Sequence, residues 1–278
     1  MRPSDFDERP DASGKVVDSE WRAREDLTVA FRMAAFYGWT NLIYNHIALR
    51  VPGEPGHVLF KRHDLLFEEV SASNLIKLDL NGAPVTENEN VNAAGFNIHG
   101  AVLRARPELN CTLHTHTIAG MAIAACRDGL LPVSQGAMRF YNRISYHDYE
   151  GLGDDPAECA RIARDLGAKN KAMILRNHGL LTCAETVAQA IFMMKQLVTA
   201  CEVQTTLVAM GREVCMPSAE VCETTARQWE RYDDGGARAN LPAYRRIVER
   251  EAHTDPTRHS QNRGSCDDLR DAHTSHVR

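Results

Sequence analysis

Two short apolar runs, Lys171 to Leu175 and Leu180 to Cys183, are separated only by Arg176-Asn177-His178-Gly179. They read as two short strands joined by a tight turn. The next stretch, Glu185 to Met210, reads as one long helix. Strands and helices therefore alternate at close range.

The rest of the chain repeats the mixture. Trp21 to Tyr37 carries Leu27, Ala30, Phe31, Ala34 and Ala35 at helical spacing and stops at Gly38. Tyr44 to Val51 reads as a strand. Pro52, Gly53, Pro55 and Gly56 spell a turn, and His57 to Phe60 reads as the returning strand. Leu75 to Leu80 is a further strand, closed by Asn81-Gly82. Ala93 to Arg106 is helical in pattern and stops before Pro107. Cys111 to His116 reads as a strand, and Ile118 to Cys126 as an Ala-rich helix. Helices are also expected from Pro156 to Leu166 and from Ser218 to Tyr232. Hairpins together with strand–helix–strand units predict an α/β fold whose mixed sheet is covered by helices.

At 278 residues, one domain with tails is the default. The expected division is a flexible tail over 1–18, a domain over 19–236 and a C-terminal extension over 237–278. Asp233-Asp234-Gly235-Gly236 marks the expected domain end. The extension is expected to be largely disordered, since 253–278 carry no periodic apolar set.

Charge narrows the partners. A net charge of -5 argues against nucleic acid, whose phosphates need a basic face. No run approaches the ~18–20 apolar residues of a membrane helix. The polar start, Met1 to Val17, lacks the apolar middle of a signal peptide. The eight Cys form no C-x-x-C pair, which reads as reduced thiols and predicts a cytoplasmic location.

The chemical signal is Leu113-His114-Thr115-His116. On a strand, side chains two apart share a face, at roughly 6.5–7 Å between Cα atoms for a rise of about 3.3 Å per residue. Two imidazoles so placed can converge on one ion, with metal–nitrogen bonds near ~2.0–2.1 Å. His178, in a tight turn beside Gly179, is the best third ligand, because glycine lets backbones approach closely.

Several segments resemble the class II aldolase/adducin family. Ala93-Ala94-Gly95-Phe96-Asn97-Ile98-His99-Gly100-Ala101-Val102, leading through Arg106-Pro107 to His114-Thr115-His116-Thr117, resembles its central helix and metal strand. Asn177-His178-Gly179-Leu180-Leu181 resembles its second metal segment. Phe67-Glu68-Glu69-Val70 with Leu78-Asp79-Leu80-Asn81-Gly82, and His147-Asp148-Tyr149-Glu150-Gly151, are also similar. The match runs roughly from Asp26 to Met210. The resemblance implies a three-layer α/β/α sandwich, metal ligation by His114, His116 and His178, and a homodimer or homotetramer with the site near an interface.

The departures shape the expected activity. Family aldolases carry a glutamate where this chain has Gly95, and glycine cannot move a proton. Their small-residue phosphate loops are replaced here by Asn45-His46-Ile47-Ala48-Leu49-Arg50 and by Lys61-Arg62-His63-Asp64. A sugar-phosphate aldolase is therefore not expected. Retained ligands without the base resemble the branch of non-haem iron oxygenases of aminocoumarin antibiotic biosynthesis, which shorten prenylated 4-hydroxyphenylpyruvate-type acids. Another branch comprises aromatic-acid decarboxylases. The leading expectation is thus an Fe(II) oxygenase or oxidative decarboxylase using dioxygen on an aromatic 2-oxo or 2-hydroxy acid. The alternatives are a redox-neutral lyase with Zn(II) or Mn(II), and a non-catalytic adducin-like binding protein.

Further candidates follow. His99 is a candidate to contact substrate or orient a ligand, against a hydrogen-bonded core histidine. His46 and His63 are candidates to line the pocket, and Lys61 and Arg62 to bind a carboxylate. Tyr141 and His147 fall where family members send residues toward an interface site. For His46 and His63 the alternative is a plain loop residue, and for Lys61 and Arg62 a solvated strand end.

Overall fold

The computed structural model describes residues 18–87, 89–152, 155 and 157–254. In chain order the elements are α1 (Asp18–Phe36), β1 (His46–Val51), β2 (Glu54–Phe60), a 3-10 turn (Phe67–Glu69), β3 (Ile76–Asp79), α2 (Ala93–Ala105), β4 (Cys111–Thr115), α3 (Ile118–Ala125), α4 (Gln135–Met138), β5 (Ile144–His147), α5 (Glu158–Leu166), β6 (Ala172–Leu175), β7 (Gly179–Ala184), α6 (Val187–Met210) and α7 (Ala219–Thr254).

The strands form one sheet in the order β3-β2-β1-β4-β7-β6-β5. Neighbours are antiparallel except β5 and β6, which run parallel, so the sheet is mixed as expected. The β1–β2 turn is tighter than the sequence suggests. It occupies Pro52-Gly53, and β2 already begins at Glu54. Pro55 fits there because pairing with β3 starts only at His57, so its missing N–H interrupts no ladder.

Alternation along the strands divides the core. Ile47, Leu49, Val51, Leu59, Leu113, Ile174 and Leu180 face the layer holding α1 and α6, to which Ile123 of α3 and Tyr244 of α7 add. On the other face Ala48, Val58 and Phe60 meet Phe96 and Leu103 of α2. Met173, Leu175, Leu181 and Cys183 there meet Val102 of α2 with Ile162 and Leu166 of α5. This is a three-layer α/β/α sandwich.

One expected boundary fails. α7 runs through Asp233-Asp234-Gly235-Gly236 to Thr254 without ending. Asp233 is ion-paired with the buried Arg139 at 2.8 Å. A Cβ on Gly236 would meet the Tyr232 ring at 2.7 Å and the Phe192 ring at 3.0 Å. That glycine is a close approach of helix to helix rather than a stop. Residues 237–254 are therefore helical and not a disordered extension, with Tyr244 and Val248 buried in the main core. The expected tail over 1–17, the helix start at Pro156 and the remainder of the extension, 255–278, lie outside the described residues. Among the described residues no helix is long and apolar enough to cross a membrane.

Candidate metal centre

Strand register brings the site to one end of the sheet. His46 at the start of β1 pairs with His114 near the end of β4, and Thr115 pairs with Leu180 at the start of β7. The turn from β6 to β7 holds His178 at the same end. Asn177 turns the chain with φ 55°, a conformation asparagine tolerates better than most residues. A Cβ on Gly179 would lie 2.5 Å from the Thr115 carbonyl oxygen and 3.0 Å from the His116 ring. Only glycine lets this turn close onto the β4 histidines.

His114, His116 and His178 converge. Their ligating nitrogens lie within 4.8 Å of one another. Ring centroids are 4.6 Å apart for His114–His116, 4.7 Å for His114–His178 and 4.8 Å for His116–His178. His114 Nε2 and His116 Nε2 approach to 2.7 Å. His114 Nδ1 donates to the Leu180 carbonyl at 3.0 Å, which fixes the tautomer that offers Nε2 to the cluster. His116 Nδ1 lies 3.1 Å from the Asn41 side-chain amide, and its backbone N–H donates to Asn45 Oδ1 at 3.2 Å. When His116 ligates through Nε2, its Nδ1–H donates and Asn41 turns its oxygen toward it.

The electrostatics suit ligation. Burial, then the neighbouring histidines His178, His116, His46 and His99, hold His114 well below the usual imidazole range. Burial lowers His116, and burial with His116 and His147 lowers His178 to about 4. All three are neutral at physiological pH, the form that binds a metal. A set of neutral imidazoles with no carboxylate fits zinc or iron and leaves coordination positions for water and substrate.

A second chain of contacts lies beneath the cluster. His46 stacks on His114 at 5.1 Å between centroids. His46 Nδ1 meets His99 Nε2 at 2.7 Å, and His99 Nδ1 meets Thr112 Oγ1 at 2.5 Å. Burial lowers His99 to about 3 and holds His46 well down, His99 adding to the latter. A Cβ on Gly95 would sit 2.4 Å from His46 Nε2. The His46 ring therefore fills the space beside residue 95.

The other expected residues separate. Lys61 is no free anchor: its Nζ donates to the carbonyls of Leu65 (2.8 Å), Arg62 (3.0 Å) and Ile43 (3.1 Å). Arg62 turns outward to Asp64 at 2.9 Å and 3.1 Å. His63 packs near Tyr44, 6.1 Å between centroids. Tyr141 sits after α4, where its carbonyl accepts from Arg143. His147 ends β5, and its register partner Leu175 stands three residues before His178. Asn41, Thr112, Tyr149 (6.4 Å from the His178 ring) and Asp165 were not singled out from the sequence. Tyr149 lies in the quoted His147–Gly151 segment, which was the available signal. Asn41 and Asp165 meet their histidines only through the fold.

Comparison with known proteins agrees with this geometry. Residues 25–205 match the family of the Class II Aldolase and Adducin N-terminal domain. A Pseudomonas aeruginosa protein grouped by name with the class 2 aldolases is 42% identical over 205 residues, covering 73% of this chain and 78% of that protein. Rat alpha-adducin is 44% identical over 189 residues, covering 66% of this chain but 26% of adducin. Among solved structures, an aldolase II superfamily protein from Pseudomonas syringae superposes with TM-score 0.81 at 41% identity, covering 85% of this chain and 96% of that one. L-fuculose 1-phosphate aldolase from Glaciozyma antarctica superposes with TM-score 0.74 at 25% identity, covering 89% and 96%. The chain belongs to the class II aldolase and adducin N-terminal domain family.

Proposed function

We propose that this protein is a divalent-metal-dependent lyase that makes or breaks a C–C bond beside a carboxylate or carbonyl of a small-molecule acid. The observation that carries the reading is the convergence of His114, His116 and His178, with His114 Nδ1 tied to Leu180 so that Nε2 faces the cluster. A bound ion there supplies Lewis-acid polarisation of a substrate oxygen. Zinc is favoured, because class II aldolases work with a divalent metal, typically zinc. The chain's own groups orient the ligands: the Leu180 carbonyl for His114, and Asn41 and Asn45 for His116. A homo-oligomer and a cytoplasmic location go with the family reading. The similarity to a fuculose-phosphate aldolase supports the lyase class, whereas Lys61 and Arg62 are engaged elsewhere and argue for a substrate without a phosphate.

The iron reading is the second. It rests on Gly95, where no acid or base is present, and on an all-imidazole donor set that also suits Fe(II). The deciding experiment measures metal content of protein purified without air and turnover of 2-hydroxy and 2-oxo acids with and without dioxygen. Zinc or manganese with oxygen-independent cleavage supports the lyase. Near-stoichiometric iron with substrate-dependent oxygen uptake replaces it with the oxygenase. Protein that takes up no metal would point to an adducin-like binding role.

A further inference from the structure

Leu42 stands at φ 51°, in the left-handed region. Among the described residues the other non-glycine positions with positive φ are Asn142 and Asn177, and asparagine tolerates that region better than most residues. Leucine does not, because its Cβ crowds the following carbonyl. Glycine or asparagine would sit there with less strain. Nor does the core need the side chain, since Leu42 is 70% exposed. Neither backbone nor burial accounts for a leucine at this position.

The loop that carries it is fixed to the metal centre on both sides. The Asn41 side-chain amide lies 3.1 Å from His116 Nδ1, and Asn45 Oδ1 accepts from the His116 N–H at 3.2 Å. Asn45 Nδ2 also donates to the carbonyl of the buried Trp39 at 2.5 Å. The Tyr44 N–H donates to the Asn41 carbonyl at 3.0 Å, which closes the turn around Leu42. Lys61 Nζ holds the Ile43 carbonyl at 3.1 Å. Contacts on both flanks thus over-determine the strained residue, and strain of this kind collects at ligand-binding sites. Two further hydrophobic side chains are presented to solvent beside the ligand histidines. Ile118, 84% exposed, opens α3 two residues after His116. Tyr149, 50% exposed, has its ring 6.4 Å from that of His178. Cations nearby are engaged by the protein itself: Lys61 and Arg62 as described, and Arg176 by the Cys126 carbonyl and over the Tyr146 ring at 4.3 Å.

We propose that Leu42 sets the substrate class of the metal centre by packing against an apolar side chain of a 2-hydroxy or 2-oxo acid. The inference rests on the lyase reading and names the kind of acid that site takes. A leucine, an isoleucine and a tyrosine beside the histidines can bury an alkyl or aryl group. They offer a polyhydroxylated chain little beyond the Tyr149 hydroxyl, so sugar acids are disfavoured. The pinned loop presents Leu42 in one conformation before binding, so little ordering entropy is lost when the substrate covers it. The strain persists because glycine, which would relieve it, has no side chain to offer the substrate.

The test measures calorimetric binding of glycolate and of 2-hydroxyhexanoate to the full zinc-loaded chain in wild type, Leu42→Gly and Leu42→Asn, with the Tm and solution mass of each. Wild type should bind 2-hydroxyhexanoate at least about 10-fold more tightly than glycolate, since a buried methylene contributes roughly fourfold. Both variants should cut that preference by about threefold or more, bind glycolate as wild type does, and melt no lower than wild type, because both residues accept φ 51°. An unchanged preference in the variants overturns the inference, as does a wild type that binds the two acids alike or binds neither. A Tm lowered in both variants overturns it by making Leu42 a side chain the fold itself needs. A smaller solution mass in both overturns it by placing the leucine against a second copy of the chain. Cleavage of the same acids separates the two readings. A preference that the variants lose, in a wild type that cleaves no acid, overturns the lyase reading and keeps the apolar subsite. Cleavage with no preference keeps the lyase and removes the subsite.

Discussion

His46 and residue 95 compete for one space: a Cβ at position 95 would lie 2.4 Å from His46 Nε2 and 2.7 Å from Asn92 Nδ2. Neither neighbour yields freely. The His46 ring is held between His99 and His114, and Asn92 caps α2 by accepting from the Gly95 N–H at 3.0 Å. Gly95→Ala should therefore destabilise the fold by about 1–3 kcal/mol despite alanine's better helix propensity. His46→Ala alone leaves His99 Nε2 without its partner and should also destabilise. The double variant should cost less than the two singles summed, since each relieves the other's defect. Urea denaturation of the four proteins measures this, and strict additivity would show that the two residues do not share the space.

His178 is the ligand to remove for a clean test, because it stands in a turn while His114 is fully buried in the sheet. His178→Ala should fold with a Tm near that of metal-free wild type. Wild type should gain about 4 kcal/mol from an ion present at roughly a thousand times its Kd. His178→Ala should show little of that gain. An equal metal-induced rise in Tm in both proteins would remove His178 from the ligand set.

Lys61 tests the difference between a substrate anchor and a structural cation. Its Nζ satisfies three carbonyls, and burial lowers it to about 8. Lys61→Met should leave those carbonyls unpaired and cost about 1–3 kcal/mol, or some 2–4 °C in Tm per kcal/mol. KM should change little. A large rise in KM at unchanged Tm would return Lys61 to the substrate pocket.

How far the sequence carried depended on whether local pattern or long-range packing decides an element. The metal strand was legible because alternation alone puts His114 and His116 on one side of β4, and Gly179 signals the close turn that delivers His178. β5 was not read. Its four residues, Ile144–His147, are too few for a periodic pattern, and only the parallel pairing with β6 makes them a strand. The Lys61-Arg62-His63 run looked like a cationic loop, yet its charges turn to backbone carbonyls and to Asp64, partners invisible until the loop is folded. His46 was singled out as a pocket residue, while its contact with Gly95 depends on how α2 crosses β1.

Arg143 joins the stem of β5 to α7 by binding Glu223 at 2.6 Å and 2.8 Å and Glu230 at 2.9 Å. Hydrogen bonds from Arg143 and then Arg227 hold Glu223 down at about 2, against an ordinary 4.5. A carboxylate with a depressed folded value contributes stability that is complete above about 4.5 and is lost as pH falls toward 2. The Tm gap between wild type and Arg143→Gln should therefore be constant near neutrality and close between pH 4.5 and 2. High salt should narrow it as well, since the pair is solvated. A gap that survives unchanged at pH 2 would assign the role of Arg143 to something other than these carboxylates.

The C-terminal half of α7 gives the sharpest contrast between the two ways of reading this chain. By pattern, Asp233-Asp234-Gly235-Gly236 ends the domain, and a chain stopping at residue 236 should be as stable as a longer one. By packing, residues beyond it carry part of the core. Tyr244 is 5% and Val248 3% exposed, Tyr244 meets the Tyr37 ring at 6.2 Å, and Arg245 pairs with Asp26 of α1. Burying side chains of this size contributes about 1.5–3 kcal/mol each, less the entropy of ordering the last turns of helix. Loss of the segment also bares α1 residues on which the β1 face packs. A chain ending at 236 should melt on the order of 10 °C below one ending at 254, by about 2–4 °C per kcal/mol. Equal melting temperatures would mean that the segment rests on the core without stabilising it.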